Sequence, residues 1–248
     1  MKIKKILTVS VLAVALLGCG KHEPRHIVIL PDVSGSIERE SLEQAFKAID
    51  ELAGHLQRGD KLTIIPILGD TEAEASGKIL RFEVPANRQA YDIDLREFRN
   101  KLNVSLREMR ANAIAHPGSK TDILGAIALA GQEFSLSTDH SVKLLAILSD
   151  FIEEDRQFNF RTDAAISGTV PVQKFATRQA KVSSIRLEKV KVYLGLLKSR
   201  EFIALEKSRR NAIKWFWIQY FNDISAHPKF FDDGPGLLRL QLSLETDR

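Results

Sequence analysis

The sequence predicts an α/β protein: a doubly wound, mostly parallel sheet flanked by helices. Three observations predict it. Short apolar runs rich in β-branched residues recur along the chain, and such runs suit strands that are buried on both faces. Between them, apolar residues fall at three- and four-residue steps, the spacing of a helix with one buried stripe. Strand and helix signals alternate, which implies βαβ units whose crossovers cover a parallel sheet.

The elements follow in order. Residues 20–25, Gly-Lys-His-Glu-Pro-Arg, are polar and contain a proline, so they read as a tether. His26-Ile27-Val28-Ile29-Leu30 is the first strand, ending at Pro31. A helix is expected over 38–57, where Leu42, Phe46, Ile49, Ala53 and Leu56 share one face, with Gly59-Asp60 closing it. Strands are expected over 62–68 and 79–84, the latter alternating Arg81 and Glu83 like a sheet edge, with an acidic turn over 69–74 between them. Helices over 94–115 and 122–134 are separated by the breakers Pro117 and Gly118. Residues 142–148 form the clearest buried strand and 190–197 the next, and 151–188 reads as an insertion of mixed loop and helix. A helix over 209–222, the turn Asp232-Asp233-Gly234-Pro235-Gly236 and a final strand over 237–244 complete the chain.

With 248 residues, of which 44% are hydrophobic and 27% charged, there is material for one sizeable core. The N-terminus reads as a leader: Lys2, Lys4 and Lys5 precede residues 6–17, apolar except for Thr8 and Ser10. That run falls short of the roughly 20 residues needed to span a bilayer and suits a secretory signal over 1–18. Without those three lysines the formal charge drops from +4 to +1, so the basic balance gives no reason to expect a nucleic-acid partner. Leu16-Leu17-Gly18-Cys19 resembles the lipobox of bacterial lipoproteins, which implies a lipid on Cys19, a tether over 19–25 and a folded domain over 26–248. Cys19 is the one cysteine, so no internal disulfide can form. With Gly20 after it, the sorting pattern of such lipoproteins implies the cell envelope, at the periplasmic face of the outer membrane in a Gram-negative host.

Ligands of an open parallel α/β sheet bind beyond the carboxyl ends of its strands. Three polar signals fall at such places: Asp32-Val33-Ser34-Gly35-Ser36 after the first strand, Thr121-Asp122 before a helix, and Ser149-Asp150 after the strand over 142–148. Together they offer hydroxyl and carboxylate oxygens, the hard donors that Mg²⁺, Ca²⁺ or Mn²⁺ takes. No histidine or cysteine joins them, which disfavours zinc. The same residues also have an ordinary structural use, since Asp and Ser often cap the helix that follows.

These residues resemble the metal-ion-dependent adhesion site of von Willebrand factor A domains, an Asp-x-Ser-x-Ser motif with a distant threonine and a distant aspartate. Asp32, Ser34, Ser36, Thr121 and Asp150 match it in order and in strand context. The resemblance implies the Rossmann-like von Willebrand factor A fold and a Mg²⁺ ion, with Ca²⁺ or Mn²⁺ as alternatives. Ser34, Ser36 and Thr121 would be direct ligands, and Asp32 and Asp150 would act mainly through water. Because neutral hydroxyls offset little of a divalent charge, such an ion favours a carboxylate from outside, so the implied partner is a protein presenting Asp or Glu. Two positions depart from the pattern, Pro31 at the strand end and Phe151 where glycine is common, and neither removes an oxygen donor.

Other signals are weaker. Gly118-Ser119-Lys120-Thr121 lacks the glycines that a phosphate-binding loop needs, so no nucleotide is expected. The six histidines are scattered and read as solvated or capping groups. Trp215 to Phe221 reads as part of a helix buried against the sheet, and the acidic runs 70–74 and 153–155 as a rim of the metal site or as solvated loops. The leading expectation is a non-enzymatic binding module, with the arm of about thirty-five residues after Asp150 choosing the partner. A metal-dependent enzyme or enzyme subunit of the envelope is the alternative, since metal-bound water can act as a nucleophile. Against it stand the absence of a histidine base beside a nucleophile and of a Gly-x-Ser-x-Gly elbow.

Overall fold

A computed structural model describes residues 22–85, 91–137 and 142–237. The expected leader, Cys19 and, past Leu237, the strand expected over 237–244 lie outside the described residues. Among the described residues six strands form one sheet in the order β3-β2-β1-β4-β5-β6: β1 Arg25–Pro31, β2 Lys61–Ile64, β3 Leu80–Glu83, β4 Val142–Ser149, β5 Val190–Leu196 and β6 His227–Phe231. All pairings are parallel except β2 with β3, which is antiparallel. The alternating Arg81 and Glu83 mark the β3 edge, as the sequence implies.

The period of two along each central strand divides the core into two layers. Val28, Leu30, Leu145, Ile147, Val192 and Leu194 face α4 Ile123–Ser135, α5 Thr169–Ser183 and α7 Lys207–Asp223. Ile27, Ile29, Leu144, Ala146, Leu148 and Tyr193 face α1 Arg39–Gly54 and α3 Tyr91–Ala115. Because the centres of β1 and β4 are covered on both sides, residues 27–30 and 144–148 are unbroken apolar runs. In α7, Phe216, Trp217, Tyr220 and Phe221 are fully buried while Trp215 is half exposed.

Several elements differ from the sequence reading, among them the short helices α2 Thr71–Glu74, within the acidic turn, and α6 Arg200–Ala204, after β5. The sixth strand is β6, and Leu237 closes the short α8 Gly234–Leu237. β6 contains Pro228, which weakens a strand signal and is tolerated there because β6 is the sheet edge. Within 151–188, α5 connects β4 to the parallel β5 and packs on α7, with Thr177 Oγ1 donating to Asp223 Oδ2 (2.6 Å) and Phe175 against Phe216. The loop over 150–168 is what remains beside the carboxyl ends of the strands. His26 also departs from the solvated role expected of it. It is buried in β1, bonded to Ser137 and Thr63, and burial lowers its pKa to about 4.

The chain enters the sheet at the pole away from those carboxyl ends. There the buried Asp60 accepts from the Arg25 backbone N–H (2.9 Å), the Arg25 guanidinium, the Gln57 N–H (2.8 Å) and the His22 ring (2.8 Å).

Candidate metal centre

At the opposite pole, β1 ends in Asp32. Its Oδ1 accepts the Ser34 N–H (2.9 Å) and its Oδ2 accepts the Ser149 hydroxyl (2.6 Å). Asp32 is fully buried and ties the loop after β1 to the end of β4. The turn it sets brings Ser34 Oγ within 3.0 Å of Ser36 Oγ, and Ser36 Oγ donates to Asp150 Oδ2 (3.0 Å). Asp150 Oδ1 in turn accepts the Ile152 N–H (3.0 Å). Thr121 arrives from the third side, since Gly35 N–H bonds Gly118 O (2.8 Å) and holds the segment before α4 beside the serine loop. Ser34, Ser36 and Thr121 line one cleft of about 210 Å³. The Thr121 hydroxyl has no hydrogen-bond partner among the described residues. All five residues singled out by the sequence therefore come together.

The electrostatics favour a cation here. Asp32 and Asp150 are both fully buried. Burial, and then the Asp32 charge, push Asp150 up to about 7. Burial raises Asp32 as well, against the hydrogen bonds from Ser149 and Ser34. Two like charges held in a low-dielectric site need a proton or a counter-ion. The donor set of hydroxyls and carboxylates fits Mg²⁺ or Mn²⁺.

The departure at Phe151 has a structural reason. The chain after Asp150 must turn sharply, and Phe151 takes a left-handed conformation at φ 63°, which costs a non-glycine residue about 1–2 kcal/mol. Its side chain offsets that cost by packing, because the ring is fully buried against Trp217 and Phe230 and its carbonyl accepts the Trp217 indole N–H (3.0 Å).

Three further residues border the site: the sequence reading offers Glu154, within the acidic run taken as a rim of the site or a solvated loop, and misses Ser199 and Glu201. Ser199, in the turn after β5, caps α6 Arg200–Ala204 and tempers the upward shift of Asp150. Glu154 and Glu201 line the cleft, and both are bound by Arg161, at 2.6 Å for Glu201. They come from segments far apart in sequence and share no motif. The run 153–155 is not a solvated loop throughout, since Glu153 is fully buried.

No family model and no curated protein matches the chain. Solved structures do. A von Willebrand factor type A protein from Catenulispora acidiphila superposes with a TM-score of 0.50 at 15% identity, over 90% of this chain and 42% of that one. The open conformation of the pilus adhesin SpaC from Lactobacillus rhamnosus GG gives 0.51 at 12% identity, over 92% of this chain and 30% of that one. The chain thus spans less than half the length of either. What the likeness covers is the sheet with its flanking helices, and on that evidence the chain has the von Willebrand factor A fold.

Proposed function

We propose that this protein is a non-enzymatic binding module that holds a divalent cation, Mg²⁺ foremost, and uses it to grip a carboxylate on a protein partner. One observation carries the reading: three hydroxyls from two loops meet in an open cleft above two buried aspartates. Ser34, Ser36 and Thr121 would hold the ion directly. Asp32 and Asp150 would orient those hydroxyls and supply the balancing charge. The bound ion supplies an electrophilic position for an incoming Asp or Glu. Arg161, by neutralising Glu154 and Glu201 at the rim, lowers the repulsion such a carboxylate meets.

In this reading the lipid on Cys19 anchors the chain in the cell envelope, on the periplasmic face of the outer membrane if the host is Gram-negative. The pole-to-pole arrangement supports that anchoring. The tether joins β1 at Arg25, and the site follows Pro31 at the far end of the same seven-residue strand, about 20 Å away at the usual rise per residue. An anchored domain would present the cleft away from the membrane.

The test is thermal unfolding of the full chain with and without millimolar Mg²⁺ or Mn²⁺, beside Thr121→Ala. A ligand that binds only the folded state raises the midpoint by mass action. The wild type should gain several degrees and the variant none, with the same midpoint in chelator. An equal gain in both would remove the adhesion-type site from the account.

A further inference from the structure

Behind the cleft lies a second group of acids. Thr121 and Glu154 pair as a short antiparallel bridge, N–H to O at 2.9 and 2.8 Å. Alternate residues of such a bridge point to opposite sides. Thr121 and Glu154 face the cleft described above, whereas Asp122 and Asp155 line a separate open cleft of about 550 Å³. Asp122, Glu153 and Asp155 each place an oxygen so that all three lie within 4.8 Å of one another.

An acidic cluster is commonly a set of caps, and part of this one is. Asp122 Oδ1 accepts the Gly125 N–H (2.7 Å) and its Oδ2 the Thr71 N–H (2.8 Å), while Asp155 Oδ1 accepts from Gln157 and Phe158. Glu153 Oε2 accepts from the first N–H groups of α4, Ile123 and Leu124. Capping leaves Glu153 Oε1 unexplained: it is buried with no hydrogen-bond partner among the described residues, on a side chain that is wholly inaccessible. Leaving such a group unpaired is costly. No lysine or arginine among the described residues pairs with any of the three carboxylates, and the charges that act most on Glu153 are those of Asp122 and Asp155, of like sign. Gly125 keeps the space clear, since a Cβ there would fall 2.2 Å from Asp122 Oδ2.

We propose that Asp122, Glu153 and Asp155 form a second divalent-cation site of calcium type, back to back with the Ser34–Ser36–Thr121 site across the 121–154 bridge. Three carboxylates on irregular loops, with an open cleft to admit water, suit the larger and less regular coordination sphere of Ca²⁺ better than the strict octahedron of Mg²⁺. Bound there, the ion would staple the 150–155 loop to the start of α4 and so fix Thr121 from behind. This site does not depend on the first being functional.

The probe is Ca²⁺ itself, titrated calorimetrically into the metal-stripped full chain, with Thr121→Ala, Glu153→Gln and Asp155→Asn in parallel. Thr121→Ala should retain one equivalent of Ca²⁺, Glu153→Gln should lose it, and Asp155→Asn should weaken it at least tenfold. Asp155 is partly exposed, so its variant decides the matter if Glu153→Gln folds poorly. A wild type that takes up one equivalent abolished by Glu153→Gln and unaffected by Thr121→Ala would uphold this site, and it leaves the first to its own test with Mg²⁺ and Mn²⁺. Ca²⁺ uptake unchanged in Glu153→Gln and Asp155→Asn, or absent from the wild type, would overturn the proposal and leave Glu153 as a buried acid held by a proton.

Discussion

Replacing Asp150 with asparagine should stabilise the metal-free protein near neutral pH. Asn keeps the shape of the side chain and can still accept from Ile152 and donate to the Ser36 hydroxyl, so the loop geometry should survive. What it removes is a charge that burial and Asp32 hold at a folded pKa of about 7, against an ordinary value of 3.8. A carboxyl whose folded pKa is raised contributes stability at low pH that is lost as pH rises from about 4 through about 7. Each tenfold change in proton affinity is worth about 1.4 kcal/mol, so at pH 7.5 the penalty is on the order of 4 kcal/mol at most, or roughly 10 °C in midpoint for a chain of this size. Urea unfolding in chelator at pH 5.0 and 7.5 is the assay. The buried His26, with its pKa lowered to about 4, works in the opposite sense, since its contribution is lost as pH falls below about 6.5. The readout is therefore the difference between variant and wild type, expected to be small at pH 5.0 and large at pH 7.5. An equal difference at both values, or a variant less stable at pH 7.5, would refute the reasoning.

Phe151→Gly relieves the left-handed backbone but removes a fully buried ring, and should cost about 2–4 kcal/mol in urea unfolding; a gain would mean that strain outweighs packing. Asp60→Ala strands the buried Arg25 guanidinium, and a loss of about 3–5 kcal/mol is expected by the same measurement, with under 1 kcal/mol marking the pair as dispensable. Arg161→Gln leaves Glu154 and Glu201 uncompensated beside the cleft, so calorimetric Mg²⁺ affinity should rise up to about fivefold at low salt and by less at 0.5 M. A fall in affinity would mean that Arg161 organises the site instead of opposing the ion.

The parts of the fold that could be read in the sequence are those where burial imposes a period. The centres of β1 and β4 are covered on both faces, and the apolar runs over 27–30 and 144–148 state it. α1 and α4 carry stripes because each packs on one side of the sheet. β6 escaped because an edge strand needs neither a long apolar run nor freedom from proline, and His227-Pro228-Lys229-Phe230-Phe231 has the look of a loop. α5 is hard to read in the sequence because Gly168 and Pro171 flank its start and its buried residues, Val172, Phe175, Ala176 and Ala180, are few.

The site divides in the same way. Asp32, Ser34, Ser36, Thr121 and Asp150 were legible because strand ends place them and because their spacing is a recognisable pattern. Ser199, Arg161 and Glu201 were not, since what brings them to the cleft is the path of the chain after β4 and β5. Glu153 was visible only as one acid in a run of three. Alternation along the 121–154 bridge, which sends Glu154 one way and Glu153 and Asp155 the other, exists only in the folded chain.

Crystals of the full chain soaked in Mn²⁺ and measured at the manganese edge test the central claim most directly. The anomalous difference map should show a peak about 2.0–2.2 Å from the hydroxyl oxygens of Ser34, Ser36 and Thr121, with Asp32 and Asp150 outside direct contact. No peak between those hydroxyls at saturating Mn²⁺, or an ion bound through Asp32 alone, would contradict the account.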